Sequence, residues 1–243
     1  MSQVRLTIDG KEVEAEMGEA LVDVIRRNGT YVPTLCYPGK EQGCLGTCRV
    51  CTCKVNGNFA ASCTLPVSDG MVVEADTKEG KNIRKAIVEM LFTEGKHNCP
   101  SCEKSGRCDL QGVGYEVDMM VSRFPYRFPV TEIDDQSEKI WLERDRCIFC
   151  QRCVNLVKDE ETGKKIFNIS NRGGKSRIEI DVELANRMSE EQALEAMELC
   201  PVGCILRKKV GFNHPIGQRK YEVKSIRERA LEDAQATAEP SVS

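Results

Sequence analysis

Residues 147–153 read CIFCQRC, three cysteines that are each separated by two residues. An iron–sulfur run of the form Cys-x2-Cys-x2-Cys-x3-Cys-Pro has its fourth cysteine four positions after the third. In this chain that position holds Val157. A cluster with three protein ligands is typical of a labile or catalytic site, whereas a cluster with four is typical of an electron carrier. The position of the fourth ligand therefore decides both the fold and the chemistry of this region.

The composition favours several small domains that are stabilised by bound metal over one domain with a large core. The chain has 243 residues, of which 40% are hydrophobic and 5% aromatic, and it contains 14 cysteines. We see no signal peptide and no apolar run near the ~20 residues of a membrane span, so we expect a cytoplasmic protein without membrane contact. In a reducing compartment this cysteine content indicates metal rather than disulfides. The net charge of −3 gives no reason to expect nucleic acid.

The N-terminal residues predict a small sheet crossed by one helix. Apolar and polar residues alternate in VRLTI (4–8), and Asp9-Gly10 predicts a hairpin turn into KEVEAEM (11–17). GEALVDVIRRNG (18–29) has the spacing of a short amphipathic helix. The stretches RVCTCKV (49–55) and MVVEA (71–75) are predicted to complete the sheet.

Two further helices are predicted around the later cysteines. In KNIRKAIVEMLF (81–92) the apolar residues follow helical spacing, so we expect them to pack against neighbouring elements. SEEQALEAMELC (189–200) predicts a second helix, with Ser189 as its N-cap. After Tyr221 the chain resembles a charged helix that ends in a flexible tail.

The first cysteine group allows two assignments of a 2Fe–2S cluster. It contains Cys36, Cys44, Cys48, Cys51, Cys53 and Cys63. Gly39, Gly43 and Gly46 give the backbone of this loop the freedom to bring its N–H groups close to a cluster. The plant-type spacing, Cys-x4-Cys-x2-Cys, is missed by one residue if Cys44 is the first ligand. The other assignment uses Cys36, Cys48, Cys51 and Cys63, and leaves Cys44 and Cys53 as small buried hydrophobes. A zinc site is a third possibility, although only one Cys-x2-Cys pair is present in this group.

The second group has three cysteines and a nearby histidine. HNCPSCEKSGRCDLQG (97–112) contains Cys99, Cys102 and Cys108, preceded by His97. A neutral imidazole can replace a thiolate as an iron ligand. His97 is therefore a candidate fourth ligand, the alternative being a histidine that is only close to the site. His214, the other histidine, is far from any cysteine triplet.

The missing ligand of the third group lies far along the chain. In two-cluster ferredoxins the cysteine of the Cys-Pro step serves the other cluster, so Cys200-Pro201 completes the triplet Cys147, Cys150 and Cys153. The second cluster would need cysteines at four positions that hold Val157, Glu190, Ala193 and Ala196. The sequence thus predicts a two-cluster-ferredoxin-like fold with a single 4Fe–4S cluster, with Cys204 left over as a core residue. Three arginines flank the triplet and either offset the charge of the cluster or form solvated surface: Arg144, Arg146 and Arg152.

Two short motifs carry a family resemblance. PTLC (33–36) and CRVC (48–51) resemble the N-terminal 2Fe–2S domain of the large iron–sulfur subunit of respiratory complex I and of iron hydrogenases. CPSC (99–102) and SGRCDL (105–110) resemble the His(Cys)3 4Fe–4S motif of the same family. This resemblance favours the assignment that begins at Cys36. It departs at the histidine, which the family places four residues before the first cysteine, where this chain has Gly95.

These features predict an α+β protein of three cluster domains. We expect a ferredoxin-like β-grasp 2Fe–2S domain at 1–76, a His(Cys)3 4Fe–4S domain and linker at 77–138, a ferredoxin-like domain with one 4Fe–4S cluster at 139–215, and a C-terminal helix and flexible tail at 216–243. Neither a Walker loop nor a complete dinucleotide fingerprint is present, because GVGYEV lacks the third glycine. The chain therefore has no predicted substrate-converting site of its own.

A unit of this size that also contains GFNHPIGQRKYE (211–222) resembles the small diaphorase subunit (HoxU type) of soluble NAD-reducing NiFe hydrogenases. The resemblance implies an electron relay. It would connect a NiFe hydrogenase module, made of a small and a large subunit, with a flavin/NAD-binding diaphorase subunit. FMN and NAD would be bound on the diaphorase subunit. Two alternatives are a relay subunit of an NAD-linked formate dehydrogenase or complex I-like assembly, and a zinc-stabilised interaction protein without a redox role.

Overall fold

The computed structural model describes residues 2–39, 42–43 and 45–236, so Cys44 and the predicted tail from 237 lie outside the described residues. The strands are β1 (Gln3–Ile8), β2 (Lys11–Glu16), β3 (Thr52–Val55), β4 (Asn58–Ala61), β5 (Val72–Glu74), β6 (Ile140–Leu142), β7 (Phe167–Ser170), β8 (Arg177–Ile180) and β9 (Ile205–Arg207). The helices are α1 (Leu21–Arg27), α2 (Lys78–Glu94), α3 (Asp109–Glu116), α4 (Arg152–Leu156), α5 (Val182–Arg187), α6 (Glu190–Leu199), α7 (Lys220–Val223) and α8 (Ile226–Ala236). No helix in these ranges is long and apolar enough to cross a membrane.

The N-terminal sheet has the order β2-β1-β5-β3-β4, with β1 and β5 parallel and the other pairs antiparallel. Asp9 and Gly10 both have positive φ angles, 48° and 81°, as a two-residue type I′ hairpin requires. Helix α1 crosses the sheet and buries Leu21, Val24 and Ile25 completely. The predicted hairpin, helix and later strands are confirmed, and β4 is an additional strand.

Helix α2 connects this sheet to the second cysteine group. Its N-cap is Thr77, whose side chain accepts a hydrogen bond from the Gly80 amide. The apolar face predicted from spacing is partly wrong, because Met90 is 41% exposed. The buried face includes the polar residue Arg84, whose Nη1 donates to the carbonyls of Thr52 at 3.0 Å and Ala75 at 3.1 Å. This helix therefore faces strand backbone as well as apolar core.

The third cysteine group lies between two small antiparallel pairs, β6–β9 and β7–β8. Helix α6 leads directly into Cys200, and the Ser189 side chain accepts a hydrogen bond from the Gln192 amide. The predicted helix and its N-cap are confirmed. Leu142 pairs with Ile205, which fixes the strand that follows Cys200 beside the strand that precedes Cys147.

The C-terminal helices pack against the earlier elements. Tyr221 Oη donates to Asp109 Oδ1 at 2.5 Å, and the Tyr221 amide donates to the Gly106 carbonyl at 2.8 Å. A Cβ added at Gly112 would lie 3.2 Å from Ile226 Cβ, so the absence of a side chain there permits close approach of α8 to α3. The C-terminal segment thus covers the loop of the second cysteine group.

One arginine contacts residues next to all three cysteine groups. Arg152 Nη2 donates to the Tyr37 carbonyl at 3.2 Å, and Nη1 donates to Asp109 Oδ2 at 3.2 Å and to the Leu199 carbonyl at 3.4 Å. Tyr37 follows Cys36, Asp109 follows Cys108 and Leu199 precedes Cys200. A single buried guanidinium therefore holds the three groups in a fixed arrangement.

We predict that Arg152→Lys destabilises the fold, because one ammonium cannot make the three contacts that the planar guanidinium makes. Loss of charged hydrogen bonds worth about 2 kcal/mol lowers the thermal midpoint by about 4–8 °C in a chain of this size. The measurement is thermal unfolding followed by circular dichroism under anaerobic conditions. The control is Arg5→Lys, at a side chain that is 78% exposed, with an expected shift of less than about 2 °C. Equal midpoints for the two variants would contradict the prediction.

Candidate metal centres

Four thiols meet at the first site, which we define as Cys36, Cys48, Cys51 and Cys63. Cys51 Sγ lies 3.1 Å from Cys63 Sγ. The thiol of Cys36 accepts hydrogen bonds from Cys48 and Cys63, and these bonds lower its pKa. All four side chains are buried. The structure thus brings together the four cysteines of the assignment that begins at Cys36, and Cys44 of the competing assignment lies outside the described residues.

Cys53 belongs to the core of the N-terminal sheet. Its side chain is fully buried, and Arg84 Nη1 lies 4.0 Å from its Sγ. Burial raises the pKa of this thiol to about 11, so it remains protonated at neutral pH. A protonated thiol in an apolar setting acts as a small hydrophobe.

The second site consists of His97, Cys99, Cys102 and Cys108, which line one cavity. His97 Nε2 is buried and has no hydrogen-bond partner among the described residues, while the ring makes a hydrogen bond to the backbone of Leu91. Burial, together with the charge of Arg146, lowers the pKa of His97 to about 4. The imidazole is therefore neutral at pH 7, and its Nε2 is an unpartnered nitrogen on a residue that lines the cavity, as an iron ligand requires.

Gly95 makes room for this imidazole. A Cβ added at Gly95 would lie 2.4 Å from His97 Nε2 and 2.8 Å from His97 Cδ2. The ring of His97 therefore occupies the space of a side chain at position 95, which is where the resembling family places its histidine. The departure from the family pattern thus moves the histidine along the sequence, and its ring lies beside position 95.

The third site, which we define as Cys147, Cys150, Cys153 and Cys200, has a strained loop. Phe149 and Gln151 have positive φ angles of 52° and 62°, which non-glycine residues rarely adopt. This conformation lets the Phe149 amide donate to Cys147 Sγ at 3.4 Å. Such strain is common at functional sites. An amide directed at a sulfur is also found at the second site, where the Gln111 amide lies 3.4 Å from Cys108 Sγ.

Cys204 is not only a core residue, as the sequence predicted, but also contacts the third site. It is buried and makes hydrogen bonds with the thiols of Cys147 and Cys200. The bond from Cys204, followed by smaller effects that include the charge of Lys104, lowers the pKa of Cys200 to about 6. The spacing Cys200-x3-Cys204 in CPVGC was the signal in the sequence that could have placed this thiol beside the site.

These donor sets fit iron–sulfur clusters. The sites combine buried or half-buried thiols, with a neutral imidazole at the second site, and backbone amides lie near sulfur at the second and third sites. Within residues 2–39, 42–43 and 45–236, no group of three or more His, Cys, Asp or Glu side chains is spaced to hold a single metal ion. The thiols of the first site instead contact one another directly.

Two of the three arginines around the third site are buried, so a solvated-surface role is wrong for them. Arg146 is 9% exposed, and its Nη1 lies 3.7 Å from Cys102 Sγ and 3.2 Å from the Gly203 carbonyl. Arg152 is 8% exposed. Arg144 instead pairs with Asp134 and Glu179, which connects the strands around the site.

The third site lies between the other two. Thr47, next to Cys48 of the first site, has its Oγ1 3.4 Å from the carbonyl of Cys150. On the other side, a Cβ added at Gly203 would lie 2.4 Å from Cys102 Sγ of the second site. The segments that carry the third site therefore contact the loop of the first site at Thr47 and the second site at Cys102.

Comparison with known proteins identifies the family. Residues 1–78 match the 2Fe-2S iron-sulfur cluster binding domain, residues 84–123 the NADH-ubiquinone oxidoreductase-G iron-sulfur binding region, and residues 137–206 the ferredoxin-like domain of NADH-quinone oxidoreductase subunit 3. The gamma subunit of the NAD-reducing hydrogenase HoxS of Cupriavidus necator is 65% identical over 229 residues, which cover 94% of this chain and 97% of that protein. This chain belongs to that family. The predicted α+β fold of three iron–sulfur domains is thereby confirmed.

Two more distant similarities agree with this assignment. The mitochondrial NADH-ubiquinone oxidoreductase 78 kDa subunit of Neurospora crassa is 31% identical over 92% of this chain, which spans only 29% of that longer protein. A crystal structure of an NAD+-reducing [NiFe]-hydrogenase in the H2-reduced state contains a chain with a TM-score of 0.84 and 32% identity. The match covers 95% of this chain and 98% of that chain.

We predict that Cys36→Ala removes the 2Fe–2S cluster, because Cys36 contacts the other thiols of the first site. Iron and acid-labile sulfide should fall from about ten per chain, the sum of one 2Fe–2S and two 4Fe–4S clusters, to about eight. Cys44→Ala and Cys53→Ala are the matched controls and should keep about ten irons. Loss of two irons in Cys44→Ala with retention in Cys36→Ala would instead favour the plant-type assignment.

We predict that His97→Ala and Gly95→Ala perturb the same 4Fe–4S cluster. The first removes the imidazole and the second displaces it, because the added Cβ would lie 2.4 Å from Nε2. Gly95 has a φ of −108° and ψ of 166°, which alanine adopts without strain, and beyond the ring the added Cβ would lie 3.1 Å from the Asp145 carbonyl. Electron paramagnetic resonance of the reduced chain should show the same altered or lost signal in both variants. His214→Ala, at an exposed position, is the control, and unchanged spectra in both test variants would exclude His97 as a ligand.

Proposed function

We propose that this chain is the iron–sulfur relay subunit of an NAD-reducing hydrogenase, with no substrate-converting site of its own. It would hold one 2Fe–2S cluster on the first site and one 4Fe–4S cluster on each of the second and third sites. The observation that carries this proposal is that the backbone around the third site approaches Thr47, beside the first site, and Cys102 of the second site. Such an arrangement suits stepwise electron transfer through the chain.

The residues of this chain would position and screen the clusters. When bound, iron–sulfur clusters supply one-electron redox chemistry. The buried thiols and His97 would provide the ligands, and the amides of Phe149 and Gln111 would donate hydrogen bonds to ligand sulfurs. Arg146 would place a positive charge beside Cys102. Burial in the core excludes water from the sites and fixes the distances between them.

The terminal sites would exchange electrons with partner subunits. We propose a flavin/NAD-binding diaphorase subunit, which would carry FMN and NAD, and the small and large NiFe hydrogenase subunits, all in the cytoplasm. The support is the 65% identity with the gamma subunit of HoxS and the likeness to a chain of an NAD+-reducing [NiFe]-hydrogenase.

An exposed apolar segment supports docking of a partner. Between α3 and β6 the chain presents large apolar side chains to solvent, and four of them are more than 70% exposed: Met120, Val121, Phe128 and Val130. The segment lies along α2, where Arg123 Nε pairs with Glu89 Oε2 at 2.8 Å and the Arg127 amide donates to the Thr93 carbonyl. Helix α2 ends at Glu94, three residues before His97. Exposed apolar patches of this kind commonly mark protein–protein contacts.

The same proposal divides the chain at the predicted boundaries, 1–76, 77–138, 139–215 and 216–243. The matched family regions at 1–78, 84–123 and 137–206 support this division. A role in a complex I-like assembly or an NAD-linked formate dehydrogenase is less favoured, because the relatives in complex I are 28–31% identical and this chain spans 29–34% of their length.

We predict that Cys150→Ala stops hydrogen-dependent NAD reduction by the assembled enzyme. The third site lies between the other two, so its loss interrupts the relay. Dye reduction with NADH at the flavin subunit and with hydrogen at the NiFe subunits should continue, because neither reaction needs the middle site. Cys53→Ala is the control and should retain the complete reaction. Unchanged hydrogen-dependent NAD reduction in an assembled Cys150→Ala enzyme would overturn the proposal.

A further inference from the structure

A lysine with almost no solvent exposure lies between the second and third sites. Lys104 belongs to the loop between Cys102 and Cys108, and its side chain is 1% exposed. Its Nζ donates to the carbonyl of Met197 at 2.6 Å. Met197 lies in the last turn of α6, three residues before Cys200. Lysine is rarely buried to this degree, so a specific reason for its position is needed.

The contact between the two sites is close at this point. A Cβ added at Gly203, three residues after Cys200, would lie 2.4 Å from Cys102 Sγ and 3.3 Å from Lys104 Cβ. The stem of Lys104 therefore packs where the loop of the second site meets the Cys-Pro segment of the third. Its ammonium group extends from this junction towards the end of α6.

One carboxylate serves the two cations of this loop. Glu198 Oε2 lies 3.3 Å from Lys104 Nζ, and Glu198 Oε1 lies 2.8 Å from Arg107 Nη1. The third cation at the junction, Arg146, pairs separately with Glu143 at 3.2 Å and Glu103 at 3.9 Å. Arg107 is itself buried, and its Nη2 has no hydrogen-bond partner among the described residues.

A positive charge here would act on the reduced clusters. Adding an electron makes a cluster more negative, and a nearby cation in a weakly screened interior stabilises the more negative state more strongly. Net charge around a cluster is one of the factors that set its reduction potential. We propose that Lys104 and Arg107, held by Glu198, raise the reduction potentials of both 4Fe–4S clusters and so adjust electron transfer between them. This inference rests on the proposed function.

A purely structural explanation also exists, since a lysine near the end of a helix can satisfy a terminal carbonyl and interact favourably with the helix dipole. The two explanations differ in the sign of their effects. If Lys104 and Glu198 only stabilise the junction, removing either charge loosens the same contact and affects both clusters in the same way. If their charges set the potentials, removing the cation and removing the anion have opposite effects.

The experiment is a redox titration of the full chain, purified anaerobically with its clusters and followed by electron paramagnetic resonance. Lys104→Met should lower the midpoint potentials of both 4Fe–4S clusters, with the equilibrium constant for reduction falling about tenfold, or about 59 mV for one electron. Glu198→Gln should raise the equilibrium constant about threefold. Lys104→Arg keeps the charge and should remain within about twofold of the unmodified chain.

Matched controls come from the opposite end of α6. Lys139 and Glu190 also form a lysine–glutamate pair, with Nζ and Oε1 2.8 Å apart, but Glu190 begins the helix that ends at Leu199. Lys139→Met and Glu190→Gln should leave both potentials unchanged, because about 14 Å of helix separates that pair from the junction.

Shifts of the same sign in Lys104→Met and Glu198→Gln, or no shift in either, would overturn the inference, as would equal shifts in the control pair. If Lys104→Met fails to retain its clusters, the upward shift in Glu198→Gln and the unchanged potential in Lys104→Arg still decide the question. The iron content of the unmodified chain shows whether the proposed function or only this inference fails. An unmodified chain without about ten irons refutes the proposed function, whereas full iron content with unmoved potentials refutes only this inference.

Discussion

The arrangement of the three candidate centres depends on the guanidinium of Arg152. Its two terminal nitrogens contact a carbonyl beside the first site, a carboxylate beside the second and a carbonyl beside the third. A guanidinium is planar and its donors point in fixed directions, so these contacts define one geometry rather than a range. A contiguous apolar core that includes Leu35, Leu110 and Val154 also joins the three regions, so the guanidinium and the core together fix the distances on which electron transfer depends.

The buried charges follow from the chemistry of the sites. Burying a cation is costly unless an opposite charge compensates for it. In this chain Lys104, Arg107, Arg146 and Arg152 are all buried, and each lies near a site whose occupied state would be anionic. Four carboxylates pair with these four cations: Glu103, Asp109, Glu143 and Glu198. The buried cations are thus paired, as burial requires, while they stay close to sites that would carry thiolates.

Local patterns in the sequence predicted much of this structure. The Asp9-Gly10 hairpin and the Ser189 N-cap are properties of a few adjacent residues, and both are confirmed. The expected grouping of the cysteines came from ferredoxin topology for the third group and from the family resemblance for the first. The structure brings the proposed ligands of the first site into contact, and it places His97 beside the cysteines of the second.

Features that depend on contacts between modules could not be predicted in this way. Spacing on α2 suggested a simple apolar face, but Met90 is exposed because Arg84 uses the buried side to reach the strands. Lys104 looked ordinary in the sequence, since its partner Met197 is more than ninety positions away along the chain. Periodicity describes one element at a time, whereas these roles arise where two elements meet.

The exchange of space between Gly95 and His97 has an evolutionary consequence. Because a side chain at position 95 would overlap the imidazole from position 97, the two positions cannot both carry large residues. A histidine at position 95 and a histidine at position 97 are therefore alternatives, and a change at one position calls for a compensating change at the other.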